Sequence, residues 1–152
     1  MMAARLLPKV RSNSQAGARL AAGIVLVGAL FNAAVGILSL IAPATFLMAV
    51  GQSTPVVAAS TLVFGEYAAD RELAIAVALI ICAAVRLTPV LAGVLVVAAT
   101  ANALDALGAL ASGRWLQLPR ALLFAVAFAG AAVWYARETS TATTEQTQPT
   151  PG

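Results

Sequence analysis

Arg71, Glu72 and Asp105 stand inside or at the edge of long apolar runs, and Asn32, Asn102 and Arg120 are further polar groups in similar surroundings. A guanidinium and a carboxylate can meet through two parallel N–H···O contacts. In an apolar medium such a pair is either a strut between helices or part of the wall of a small ligand pocket. Most other chemistry is excluded. The chain has no His, so it has no imidazole for a haem, a zinc site, a Ser-His-Asp triad or a near-neutral proton relay. Cys82 is the single cysteine and cannot form an internal disulfide or a CxxC redox pair. Lying among Ala and Ile, it reads as a packing residue with a suppressed thiolate. Glu66 and Asp70 are four apart, but two carboxylates alone make a weak oxygen site for a divalent cation. No nucleophile-elbow, P-loop, dinucleotide-binding or zinc-protease pattern occurs. Neither catalytic residues nor a cofactor or metal site are expected.

The elements that must position these groups follow from composition. Of 152 residues, 61% are hydrophobic and only 10% charged, and the mean hydropathy is +0.92. A soluble domain carries about 25% charged residues, because its surface must stay wet. The chain therefore reads as an all-α integral membrane protein, a bundle of four transmembrane helices whose first partner is the lipid bilayer. The spans are expected at about 20–42, 70–87, 90–111 and 118–136. Asp70, Arg71 and Glu72 form the first turn of the second span on this reading, where acids suit a helix N-terminus. Residues 43–70, with Pro43, Gly51, Pro55 and Gly65, read as a loop containing at most a short re-entrant or surface helix. Residues 1–19 read as a basic cytoplasmic segment, and 138–152, rich in Thr, Gln and Pro, as a disordered tail.

Orientation follows from charge. Arg5, Lys9, Arg11, Arg19, Arg86 and Arg137 lie on one side of four spans, against Arg71, Arg114 and Arg120 on the other. Six against three places both termini in the cytoplasm of a cell with this protein in its inner (plasma) membrane. The net charge of +3 is thus accounted for at the lipid surface, and no nucleic-acid-binding pattern accompanies it.

Depth and facing bring the polar residues together. At about 1.5 Å per residue, Arg71 lies about 22 Å above Arg86, Asp105 about 24 Å above Pro89, Arg120 about 25 Å above Arg137 and Asn32 about 20 Å above Arg19. All fall in the outer third of the membrane. Gly28, Asn32 and Gly36 form an i, i+4, i+8 row on which another backbone can approach. Ala98, Ala101, Asn102, Asp105 and Gly108 share a face of the third span, and Arg71, Ile75, Ala78, Cys82 and Val85 one of the second. Arg71 is expected to pair with Asp105, with Asn32 or Asn102 meeting its remaining donors. Glu72, about 100° round the helix, is expected to meet Arg120 or solvent.

The run Arg71-Glu72-Leu73-Ala74 in the second helix, with Leu104-Asp105 late in the third, resembles the small four-helix bacterial membrane proteins of unknown function in the broad DoxX-like group. The likeness covers roughly residues 20–137. It implies the four-helix fold and Arg71 and Asp105 as signature positions. Two functions stand open. One is a small accessory or structural subunit of a membrane complex, held by a membrane-protein partner or a second copy of the chain. The other is a binding or transport protein that takes a small solute or quinone headgroup into an outward polar pocket of Asn32, Arg71, Glu72, Asn102, Asp105 and Arg120.

Overall fold

The computed structural model describes residues 7–45 and 59–146. Four long helices account for nearly all of these: α1 (Leu7–Ile41), α2 (Ala59–Ala84), α3 (Thr88–Ala111) and α4 (Leu118–Gln146). No strand occurs among the described residues. Three stretches, Gln15–Ile41, Thr88–Ala111 and Leu118–Ser140, are long and apolar enough to cross a membrane. They expose Leu26, Leu30, Val97, Leu104, Leu123 and Val126 on their outer faces. A contiguous apolar surface of that kind belongs in lipid rather than water. Helix α2 has the length but carries Asp70, Arg71 and Glu72 at its middle.

Three boundaries differ from expectation, each for a physical reason. Helix α2 begins at Ala59, so Arg71 and Glu72 stand midway along it rather than in its first turn, and Gly65 lies inside the helix. A helical Gly costs about 1 kcal/mol. Packing on α1 outweighs it: Ala69 is fully buried, and a Cβ on Gly36 would stand 3.2 Å from its carbonyl oxygen. Residues 43–45 are also helical, while 46–58 fall outside the described residues. Helix α1 reaches back to Leu7, into the basic segment, with Pro8 in its first turn, where no intrahelical N–H is needed. Helix α4 runs on to Gln146, into the Thr-rich stretch expected to be disordered. A helix already nucleated by packing gains one bond per residue added. Thr139 and Ser140 turn their hydroxyls back to the Ala136 carbonyl, at 2.8 and 3.0 Å. Residues 147–152 lie outside the description.

The four helices associate as two antiparallel pairs. Helices α1 and α2 pack most extensively with each other, as do α3 and α4, and the pairs meet along narrower α1–α4 and α2–α3 seams. Where helices are surrounded by lipid no hydrophobic drive brings them together, and close approach of small residues with van der Waals contact is what holds them. On α1, Gly36 receives Leu73 of α2, Gly28 receives the Phe128 ring of α4, and Gly17 receives Trp134 of α4. The buried stripe of α3 (Leu91, Leu95, Ala98, Ala106, Ala109) runs at three- and four-residue spacing toward the centre. Phe128, Leu79 and Leu95 are the largest fully buried side chains.

Helices α2 and α3 end alike. After α3, Gly113 (φ +69°) donates to Leu110 O and Arg114 to Ala109 O, the paired contacts of a Schellman stop. After α2, Arg86 donates to Ala83 O and Leu87 to Cys82 O, but the left-handed position is Arg86 at φ +55°. A side chain there costs roughly 1 kcal/mol or more that glycine avoids.

Gly28→Ala is expected to lower unfolding stability in detergent by about 1–3 kcal/mol, because the fully buried Phe128 ring cannot retreat. Gly93, which faces open space, should accept Ala with stability unchanged or slightly raised. Equal melting temperatures for the two variants would show that ring-into-glycine packing does not hold α4 to α1.

Candidate functional site

The α1–α2 packing fixes where Arg71 points. With Ala69 and Leu73 drawn against Gly36, the Arg71 side chain leaves α2 toward the α2–α3 seam. There it meets Asp105 of α3 through two contacts, Nη1 to Oδ1 at 3.1 Å and Nη2 to Oδ2 at 2.8 Å. This is the expected pair, with the fork-to-fork geometry that distinguishes Arg from Lys. The same Nη2 donates to Glu72 Oε1 at 2.6 Å. Glu72, expected at Arg120 or in solvent, is therefore the second carboxylate on Arg71. Neighbouring helical residues do not face each other, but a guanidinium reaching for the next helix swings across Glu72. The Glu72 side chain is 14% exposed, against 39% for Arg71 and 36% for Asp105. One cation thus stands against two carboxyl groups in a partly open notch of the seam.

The other expected members lie elsewhere. Asn32 is buried and donates its side-chain amide to Gly28 O at 2.7 Å. Asn102 donates to Ala98 O at 2.9 Å. Neither answers Arg71. In a low-dielectric surround the nearest acceptor for an amide is the carbonyl one turn back on its own helix, and both take it. Ser39 and Thr100 bond in the same way, to Val35 O and Val96 O. The Arg71 Nε–H consequently has no acceptor among the described residues, although it is closed off from solvent. Arg120 lies over the Phe31 ring, 5.5 Å from its centroid, and does not join the carboxylates. It sits in the first turn of α4, nearer to α1 than to α2.

Arg120 instead heads an aromatic row. Phe31 stacks on Phe124 at 4.6 Å between centroids, and Phe124 meets Phe128 at 5.7 Å. Aromatic pairs contribute about 0.5–1.5 kcal/mol beyond burial, and a cation over a ring about as much. The row closes the α1–α4 seam as Arg71–Asp105 closes the α2–α3 seam. The signal for it lay in Arg120, Phe124 and Phe128 at i, i+4, i+8, with Phe31 three residues from Gly28. Cys82 is buried among Ile75, Leu79 and Leu95, below the ion pair on the same face of α2. Asp70 is exposed, and the side chain of Glu66 lies outside the described residues.

The arrangement is a fixed electrostatic clip. Both Nη groups of Arg71 are spoken for, and a second carboxylate is already present, so an incoming anion would meet acid as well as base. No protein-family model, no curated protein and no solved structure matches the chain.

Asp105→Asn should lower unfolding stability by about 1.5 kcal/mol, the low end for a hydrogen bond to a charged group because both side chains are over a third exposed. The check is a cycle of Asp105→Asn, Arg71→Gln and the double variant by thermal unfolding in detergent. Losses that simply add would show that the two groups are uncoupled.

Proposed function

We propose that the chain is a four-span protein of the inner membrane with both termini in the cytoplasm, serving without catalytic activity as a small structural or accessory subunit of a membrane complex. The observation that carries this reading is the closure of the polar cluster. Arg71 binds Asp105 across the seam between the two helix pairs and Glu72 on its own helix, and Asn32 and Asn102 are satisfied within their own helices. Polar side chains tied to one another act as interhelical glue.

Helix α2 is the fourth span on this reading. Its 26 residues reach about 39 Å at 1.5 Å per residue, enough for the hydrocarbon core. Arg71 and Glu72 at its centre are tolerable because they are paired with each other and with Asp105 of α3, whereas Asp70 stays exposed. The contact between Arg71 and Asp105 joins the two sequence stretches on which the likeness to the DoxX-like group rests, and a fold of that kind fits this reading. Two helix pairs with broad lipid-facing apolar surfaces offer a larger protein or a second copy ample area to pack against.

One observation favours a second reading, a binder of a small solute or quinone headgroup: the unmet Arg71 Nε–H beside a partly open notch. A carbonyl oxygen could accept from it where a free anion would be repelled by Glu72 and Asp105.

Native mass spectrometry of the gently extracted protein, with Arg71→Ala in parallel, tests the proposal. A stoichiometric protein partner or second copy, with no small molecule whose release depends on Arg71, is the expected result. A quinone or solute released from the parent and missing from the variant would replace the accessory reading by the second. Reporter fusions at the two ends should both report the cytoplasm.

A further inference from the structure

Toward the α2–α3 turn, away from the ion pair, lies a cavity of about 430 Å³ lined by α1, α2, α3 and, at Tyr135, α4, and partly open to the side where the outward-facing Leu26 and Ile80 line it. Its volume is in the range of small-molecule sites, about 300–1,000 Å³. The body is apolar, formed by Val25 and Ala29 of α1, Ile80 of α2 and Leu91 of α3, with Cys82 at its wall. Polar groups gather at the turn end only: Arg86, Thr88 and the Tyr135 phenol. No lining residue is acidic. The Thr88 hydroxyl is directed to the Arg86 carbonyl, and the Arg86 guanidinium takes part in no ion pair or side-chain hydrogen bond among the described residues.

Arg86 also holds an unfavourable backbone position. The same helix stop after α3 uses Gly113, while after α2 it uses Arg86 in left-handed φ. Strain kept at a residue whose side chain lines a cavity points to use of that side chain rather than to turn geometry, which glycine serves better. One turn before Ala22, which lines the cavity, Arg19 lies on the same face of α1 and adds a second cation beside the opening.

We propose that this cavity is a lipid site: it takes one acyl chain of an anionic phospholipid, and Arg86 binds the phosphate at the membrane surface. The proposal rests on the four-span reading, which sets the α2–α3 turn at the headgroup level. An opening to the side lets the second chain and the glycerol remain in the bilayer. A cation without an ion-pair partner among the described residues, above an apolar slot whose lining has no acid and with Glu138 acting on Tyr135 at its edge, complements a phosphate on a hydrocarbon chain, and basic pockets between membrane helices bind such headgroups.

The test uses the full chain in nanodiscs of equimolar phosphatidylglycerol and phosphatidylcholine with identical chains, read by native mass spectrometry of retained lipid. The parent should retain one lipid per chain, enriched about fivefold in phosphatidylglycerol, the share of one Arg at an anionic surface. Arg86→Gly should bring the ratio to parity while its melting temperature holds or rises, since the strained position is relieved. Arg86→Lys should keep most of the preference. Ala83→Phe, which fills the cavity, should abolish the retained lipid, and Arg114→Gln at the other turn should change nothing. Parity in the parent, or a preference that survives Arg86→Gly, would overturn the site while leaving the four-span reading intact. A chain that stays dispersed without detergent and does not enter nanodiscs would overturn both.

Discussion

A guanidinium carried at the middle of a largely apolar helix must have its charge answered within reach, and the α2–α3 seam is arranged around that requirement at Arg71. The answer comes from α3, the first helix of the other antiparallel pair, so the contact with Asp105 is also what ties the two pairs along one seam. Glu72 supplies a second carboxylate from the same helix. A single Arg between two acids is firmly positioned, and the energetic penalty for removing either acid falls on whichever charge remains.

The opposite seam is closed by shape rather than charge. Glycines on α1 admit rings from α4, and Phe31, Phe124 and Phe128 continue the contact toward Arg120. In lipid this is the available means, because burying an apolar side chain against another helix gains little over burying it against hydrocarbon tails. What is gained is dispersion from close fit, so a glycine opposite a ring counts for more than another leucine would. The polar amides of Asn32 and Asn102 are spent locally for the same reason: an unsatisfied donor in hydrocarbon costs several kcal/mol, about as much as any interhelical contact could return.

The seam and the turn end of the bundle consequently differ in character. Midway along α2, a cluster whose charges are paired with one another sits at the α2–α3 seam, with only the Arg71 Nε–H unmet among the described residues. The turn end has an apolar hollow with Arg86, unpaired among the described residues, held in an unfavourable conformation at its mouth. Charges that satisfy each other stabilise the assembly, whereas a charge left unpaired beside an apolar cavity is available to something outside the chain.

Much of this was legible in the residues. Composition and the lengths of the apolar runs determined an all-helical protein with membrane-length helices, since a chain with 10% charged residues cannot coat a globule. Rise per residue and facing put Arg71 and Asp105 at one height, which made their pairing the expectation, and the α2–α3 seam then set them opposite each other. The extents of α1, α2 and α4 were not legible. Gly65 and the Thr-rich tail read as breakers locally, and only packing at Ala69 and propagation from an anchored span carried the helices through them. The destination of the remaining polar groups was likewise a tertiary decision. Depth brought Asn32, Glu72, Asn102 and Arg120 to one level, but which acceptor each took depended on which helices became neighbours and on the nearest carbonyl or ring in a medium without water. Sequence periodicity specifies a residue's face and height; it cannot say whose side chain stands opposite, and in lipid that neighbour decides between a bond across the seam and a bond back to the same helix.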